Sequence, residues 1–376
     1  MNASSQDLQS EAQTLAQSVT AAYADTPLTE VGTRLKELIE GVAASASSSG
    51  SDASLAQTLA TVRGFRRALP ETFGDRFQFD SLLIQAIIKE WSAFGARFSG
   101  FIVPRYGQGW GFYKIPMPSE DDKFAHMICV VSFPGADRLG DIDLSDYAWL
   151  LHELGHAAFY SSRHFIDNFG KRLTDRLRVL KLRSTADVGR AAARAADHIA
   201  ALEGYWSPKL NQQDWAHEVA VDIAALWALG APLTMQFRRL VGREDVNVCI
   251  ATDQHPPYVI RAQALAHAAD SLGWRDEAWA LQENIRLRTA ESPNDLLVYG
   301  DAEILKAIVE ESIQSCELLK IPRMTKERLD TIQHSDAPET DVPFGSAMIQ
   351  LGGLKRSMLP AGEYRSWTES LLRSAL

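Results

Sequence analysis

The sequence predicts an α+β fold that is mostly helical and contains a small β-sheet. Aromatic and β-branched residues flank a Gly-rich turn in FIVPRYGQGWGFYKI, at 101–115, which is typical of a β-hairpin. MICVVSF, at 127–133, has the continuous apolar run of a buried strand. From residue 164 onward, apolar residues at helical spacing fill most of the chain, so we expect no further strand there.

The N-terminal part of the chain has the composition of polar helices followed by a linker. Residues 1–43 predict two alanine-rich helices, with Pro27 near the start of the second. ASASSSGSDAS, at 44–54, is a flexible linker by composition. Helical spacing resumes in 55–70 and 80–97.

These changes of character predict four regions. We expect a polar helical appendage with its linker at 1–54 and a helical region at 55–100. A core at 101–290 contains the motifs described below and carries a basic helical insert at 163–204. A C-terminal helical region follows at 291–376.

Composition excludes some classes of protein. The net charge of −10 argues against a nucleic-acid-binding protein, because phosphate binding depends on excess Lys and Arg. The N-terminus lacks the basic and apolar regions of a signal peptide, and no run of about 18 apolar residues predicts a membrane span. Three cysteines, widely spaced, fit a reducing compartment. We therefore expect a cytoplasmic protein.

The segment WLLHELGHAAFY, at 149–160, is the strongest motif in the chain. On a helix, His152 and His156 stand one turn apart on one face, so their imidazoles can share one metal ion. Glu153 is rotated by about 100° from His152, which places its carboxylate beside the metal, where it can act as a general base. The alternative is a helix whose two histidines are ordinary surface or core residues.

A third metal ligand is expected downstream, in DWAHEVAVDIAALWALG at 214–230. Glu218 and Asp222 lie on one helix face, and Asp222 interrupts an apolar run, where a charge must have a partner. We predict that Glu218 binds the metal and that Asp222 accepts the free N–H of a ligating histidine. His217 is the alternative ligand, and two solvated carboxylates are the alternative interpretation.

DQHPPYVIRAQAL, at 253–265, supplies two candidates for stabilising a developing oxyanion. His255 precedes two prolines at a helix entrance, and Arg261 follows inside that helix. The alternative is a turn histidine and a surface arginine.

In this order, HELGH, E-x-x-x-D and HPP-x-x-x-R resemble the gluzincins, zinc peptidases whose third ligand is glutamate. The last element specifically resembles the family of the CAAX prenyl protease and the heat-shock protease HtpX. The resemblance covers roughly residues 125–265. It implies a zincin-like core and a zinc ion at His152, His156 and Glu218.

The same resemblance implies base catalysis by Glu153, support from Asp222, and His255 and Arg261 near the substrate carbonyl. The chain lacks the membrane helices of that family, so it resembles a soluble, divergent relative. Zincin clefts are lined by an edge strand on which the substrate peptide adds as a further strand. MICVVSF could be that strand, or an ordinary buried one.

The segment between the metal-binding motifs is unusually basic. Residues 163–194 contain nine Lys or Arg and three Asp. The segment could bind an acidic partner, or it could be a solvated helical face.

Three functions are therefore open. The first is a zinc-dependent metallopeptidase acting on a protein or peptide substrate, with Zn²⁺ as its cofactor. The second is a regulatory protease of the ImmA type that cuts one specific partner protein. The third is a helical interaction protein with a structural or vestigial metal site.

Overall fold

A computed structural model describes the chain in segments that fall into two compact units. Unit 1 comprises residues 1–143, 343–345 and 358–376, and unit 2 comprises 144–342 and 346–357. The described residues are 5–25, 29–49, 52–69, 101–107, 109–116, 127–134, 144–161, 163–186, 197, 204–206, 214–253, 255–289, 301–333, 352, 355 and 358–374.

Unit 1 begins with three helices that pack on one another: α1 (Ser5–Tyr23), α2 (Thr29–Ser49) and α3 (Asp52–Gly64), followed by a 3-10 turn (Phe65–Ala68). The two helices predicted within 1–43 are present. The predicted linker at 44–54 differs from the structure, because 44–49 completes α2 and α3 begins at Asp52. Small Ala and Ser side chains are compatible with a helix when apolar neighbours such as Leu35 and Ile39 are buried.

Unit 1 also holds a three-stranded sheet with β1 (Phe101–Gly107), β2 (Gly111–Pro116) and β3 (Met127–Pro134) in the order β1-β3-β2. The two strands predicted at 101–115 exist, but their pairing as a hairpin is wrong. β3 lies between them, parallel to β1 and antiparallel to β2. The most apolar strand takes the centre, where both of its edges are hydrogen-bonded.

The suggestion that MICVVSF is an edge strand for substrate is therefore also wrong. β1 pairs with residues 128–134 of β3 and β2 pairs with residues 127–132, so β3 is a central strand and not an edge on which a substrate could add. Ile128, Cys129, Val130 and Val131 are all buried, as its apolar run predicts.

The regular secondary structure of unit 2 in its described residues is all helical. A 3-10 turn (Leu144–Tyr147) leads into α4 (Ala148–Ser161), which carries HELGH and ends just before the basic helix α5 (Arg163–Ala186). The helices that follow are α6 (Trp215–Leu229), α7 (Ala231–Gly242), α8 (Tyr258–Ser271), α9 (Arg275–Thr289), α10 (Ala302–Leu318) and α11 (Lys326–Gln333). The last helix of the chain, α12 (Ala361–Ser374), belongs to unit 1.

The predicted core at 101–290 is thus divided, since its strands lie in unit 1 and its HELGH helix lies in unit 2. The prediction that helices fill most of the chain from residue 164 onward is confirmed for its described residues by α5 to α12. The predicted helix at 80–97 lies outside the described residues. No helix within the described ranges is both long and apolar enough to cross a membrane.

The helix α6 is the centre of unit 2, because α4, α7, α8 and α10 all pack against it. Every one of its residues is buried, which explains why its sequence is apolar around the whole circumference. Asp214 caps its N-terminus by accepting a hydrogen bond from the His217 N–H at 2.9 Å. Gly230 ends it with φ of 70°, a backbone conformation that favours glycine.

Gly155 allows α4 and α6 to approach closely. A Cβ atom at Gly155 would lie 2.4 Å from Cγ1 of Val221, which is closer than two carbon atoms can approach. The close packing expected from a glycine in the middle of HELGH is therefore present. It brings the motif faces of the two helices together.

The basic helix α5 meets acidic side chains of its own chain on α10. Arg172 pairs with Glu311 and donates to Ser315 Oγ at 3.1 Å, and Arg176 pairs with Glu310 and Glu311. Part of the positive charge between the two motifs is thus neutralised within unit 2.

Candidate metal centre

The helix α4 presents His152 and His156 as a buried pair. Their Nε2 atoms are 3.2 Å apart and their rings are perpendicular, with centroids 4.8 Å apart. Both residues are buried, as are the flanking Leu151 and Leu154. The helical spacing therefore places the two nitrogens at one point, as predicted.

The helix α6 brings the carboxylate of Glu218 to the same point. Its Oε1 lies 3.2 Å from Nε2 of His156 and its Oε2 lies 3.5 Å from Nε2 of His152. His217, the alternative ligand, turns to another side of the helix, where its Nδ1 lies 2.9 Å from Asp214 and its ring contacts Phe169. Glu218 is thus the residue of α6 that meets both histidines.

The separations of these three groups fit a tetrahedral zinc ion. Ligands about 2.0–2.1 Å from a tetrahedral ion are about 3.3 Å from one another. The two histidine nitrogens are 3.2 Å apart, and they lie 3.2 and 3.5 Å from different oxygens of Glu218, so each histidine meets the carboxylate at about that spacing. Neither Glu218 carboxylate oxygen accepts a well-directed hydrogen bond among the described residues, although both are buried. A cation at this point would satisfy both oxygens.

Asp222 orients the first histidine. Its Oδ1 lies 2.9 Å from Nδ1 of His152, one turn of α6 beyond Glu218. A proton on Nδ1 leaves the Nε2 lone pair of a neutral His152 directed at the shared point. Asp222 thus lies next to the histidine nitrogen whose N–H it was predicted to accept.

Arg261, on α8, forms a fork with the same aspartate. Its Nε and Nη2 donate to the two Asp222 oxygens, each at 2.8 Å, and its Nη1 lies 3.8 Å from Glu218. The side chain is 4% exposed and lies against the rings of Phe237 and Tyr258. This position differs from the expected one beside a substrate carbonyl, because the guanidinium is engaged with the buried carboxylates.

Glu153 is a second acidic residue near the two histidines, and it forms with them a buried group that could hold a metal ion. One nitrogen of each histidine and one Glu153 carboxylate oxygen lie within 4.8 Å of one another. Burial raises the pKa of Glu153 to about 7, with Glu218 and Asp222 adding to the increase and His152 opposing it. A carboxyl group with that pKa can both accept and return a proton near neutral pH.

The remaining ionisable groups have pKa values set by one another. Burial lowers the pKa of His152, but Asp222 and Glu218 outweigh burial and raise it to about 10. Burial raises the pKa of Glu218, but His156 and His152 outweigh burial and hold it well below its ordinary range. The pKa of His156 is lowered, chiefly by burial. Without a metal, His152 is therefore the protonated member of the pair.

His255 lies at the solvent side of this cluster. Its side chain is 47% exposed, and its Nε2 lies 3.7 Å from Oε1 of Glu218. Thr252 holds it in place through its hydroxyl and backbone. The sequence motifs do not include Thr252. Its place three residues before His255, where a Thr hydroxyl commonly closes a turn, was the available signal.

Comparisons with known proteins do not identify a family for this chain. The chain matches no protein-family model, no curated protein and no solved structure.

Proposed function

We propose that the protein is a zinc-dependent metallopeptidase that hydrolyses peptide bonds. The observation that carries this proposal is the convergence of His152, His156 and Glu218, at separations that fit a tetrahedral ion, with Glu153 beside them. The relationship to the gluzincins belongs to the same proposal, since the order of the motifs and their spatial meeting both agree with it.

In this proposal, each site residue has a role that follows from its position. His152, His156 and Glu218 would hold Zn²⁺, and Asp222 would keep His152 in the required tautomer. The ion would supply Lewis acidity, which lowers the pKa of water from 15.7 toward about 7. Glu153 accepts a proton from the attacking water and delivers it to the leaving amine.

The two remaining candidates act at different depths. His255 is exposed enough to reach a substrate and can donate a hydrogen bond to the developing oxyanion. Arg261 is a positioning residue in this proposal, because it fixes Asp222 and is buried away from solvent. An acidic partner of the basic segment 163–194 stays a prediction, and it would have to contact residues other than Arg172 and Arg176, which pair within the chain.

Cleavage of a complex peptide mixture tests the proposal without knowledge of the substrate. Zinc-loaded wild type and zinc-loaded Glu153→Gln are incubated with a proteome-derived peptide library, and new termini are counted by mass spectrometry. We expect cleavage by the wild type and none by Glu153→Gln, with equal zinc content in both. Equal numbers of new termini from the two proteins would reject the assignment of Glu153.

A library of folded proteins extends the test to the ImmA-type alternative. Cleavage of a single protein together with inactivity on peptides would identify a regulatory protease. Inactivity of zinc-loaded wild type on both libraries would favour the non-enzymatic interpretation.

A further inference from the structure

The turn before α8 holds His255 from several sides. The His255 N–H donates to Thr252 Oγ1 at 2.9 Å, and the Thr252 N–H donates to the His255 carbonyl at 3.0 Å. On the other side, Pro256 and Pro257 are buried and start α8. These contacts fix the backbone of His255, so its half-exposed ring projects from a defined point of the turn.

The hydroxyl of Thr252 also lies beside the ring of His255, at the ring nitrogen that is not the one near Glu218. Its Oγ1 lies 3.5 Å from Nδ1 of His255, while Nε2 is the nitrogen near Glu218. The hydroxyl therefore contacts one edge of the imidazole and leaves the opposite edge directed at the metal centre. Nε2 is the atom that a substrate carbonyl oxygen would meet.

The same turn is tied to the helix that carries Glu218. The indole Nε1 of Trp215, at the start of α6, donates to the Thr252 carbonyl at 2.9 Å. Trp215 is buried, and Tyr205 stacks on it with ring centroids 4.7 Å apart. One rigid helix thus fixes the position of Glu218 and the position of the turn that presents His255.

We infer that Thr252 is a positioning residue that directs Nε2 of His255 toward the carbonyl oxygen of a bound substrate, and that Trp215 anchors Thr252 for this purpose. This inference rests on the proposed peptidase function. It assigns a role to a side chain that touches neither the expected metal ligands nor the expected substrate.

Acetohydroxamate is a suitable probe of the substrate site. Its two oxygens bind a metal ion where the attacking water and the substrate carbonyl oxygen would lie in the proposed function. Its dissociation constant is measured on Co²⁺-loaded full-length protein from the change in the visible Co²⁺ spectrum. We expect Thr252→Val to weaken binding roughly three- to tenfold, as for one lost hydrogen bond, and Thr252→Ser to restore it. In the His255→Ala background, Thr252→Val should cause no further weakening.

Each outcome separates the inference from the proposed function. A Co²⁺ content near zero in folded wild type would reject the metal centre, and the inference with it. One Co²⁺ per chain with unchanged affinity in Thr252→Val, or with equal weakening in the His255→Ala background, would overturn the inference alone.

A measurement on the metal-free protein guards against a folding defect. Long-range ¹H–¹⁵N spectra should show one sharp set of His255 ring signals in the wild type and broadened or shifted signals in Thr252→Val. Should Thr252→Val fail to fold, Trp215→Phe removes the anchoring donor while keeping an aromatic ring, and the same broadening is expected. Unchanged His255 signals in a folded variant would contradict the inference.

Discussion

Nε2 of His156 lies 3.2 Å from Oε1 of Glu218, although α5 and the whole segment up to α6 separate them in sequence. The carboxylate is almost fully buried, and its histidine neighbours come from a different helix. Burying a carboxylate is costly unless a cation or several hydrogen bonds compensate. The contact therefore connects two motifs that the sequence could only place on separate helices.

The fork between Arg261 and Asp222 supports His152, so Asp222→Asn should weaken zinc binding. Loss of such a supporting partner typically lowers metal affinity roughly 10- to 100-fold. The measurement is competition for zinc with a fluorescent chelator. Asp245→Asn is the matched control, because Asp245 forms an equivalent fork with Arg243 at the surface. Equal affinities for Asp222→Asn and wild type would contradict the role of Asp222.

The crossing of α4 and α6 depends on the absence of a side chain at Gly155. We expect Gly155→Ala to destabilise the protein by about 1–3 kcal/mol, because its Cβ would overlap Val221. The free energy of unfolding in urea measures the effect. The double variant Gly155→Ala/Val221→Ala should lose less than the sum of the two single variants. Strict additivity would show that the overlap with Val221 is not the cause.

Zinc affinity should depend on pH through His152. Its pKa of about 10 means that the metal-free protein carries a proton on this ring at pH 7, and zinc must displace it from Nε2. Raising the pH removes that cost, so the apparent dissociation constant should fall about tenfold per pH unit between pH 7 and 9. Chelator competition at pH 7, 8 and 9 measures the slope. A constant affinity over this range would show that His152 is already neutral.

The ion pairs between α5 and α10 should contribute to stability, because Glu311 is buried while its arginine partners are partly exposed. Glu311→Gln should cost about 1–3 kcal/mol, less than breaking a fully buried pair. Glu283→Gln, which removes an exposed pair with Arg286 on α9, is the control and should cause no measurable change. Similar unfolding free energies for the two variants would mean that the α5–α10 contact is not important.

Helical periodicity was sufficient to predict which candidate site residues share a helix face in unit 2. The i, i+4 spacings in α4 and α6 put His152 with His156 and Glu218 with Asp222, and the interrupted apolar run marked Asp222 as a partnered charge. These features are local, so a single sequence contains them. Gly155 likewise indicated a close neighbour, although only the structure identifies it as Val221.

The predictions that the structure corrects concern features that depend on contacts between segments distant in sequence. The pairing of β1 and β2 with β3 is set by which strand gains most from the central position, and a turn-like sequence between β1 and β2 does not reveal that choice. Ala and Ser at 44–49 have a linker composition, but packing of α2 against α1 and α3 makes them helical. Arg261 was predicted to lie near a substrate carbonyl, and its fork with Asp222 could not be read from the sequence because the two residues lie on different helices.

Metal content measured per chain tests the central claim most directly. Wild type, Glu218→Ala and the control Glu310→Ala are purified without affinity-tag metals, loaded with zinc, dialysed and analysed by inductively coupled plasma mass spectrometry. We predict one zinc per chain in the wild type and in Glu310→Ala, and much less in Glu218→Ala. A folded wild type that retains no zinc, or a Glu218→Ala variant that retains a full equivalent, would contradict the three-residue metal centre.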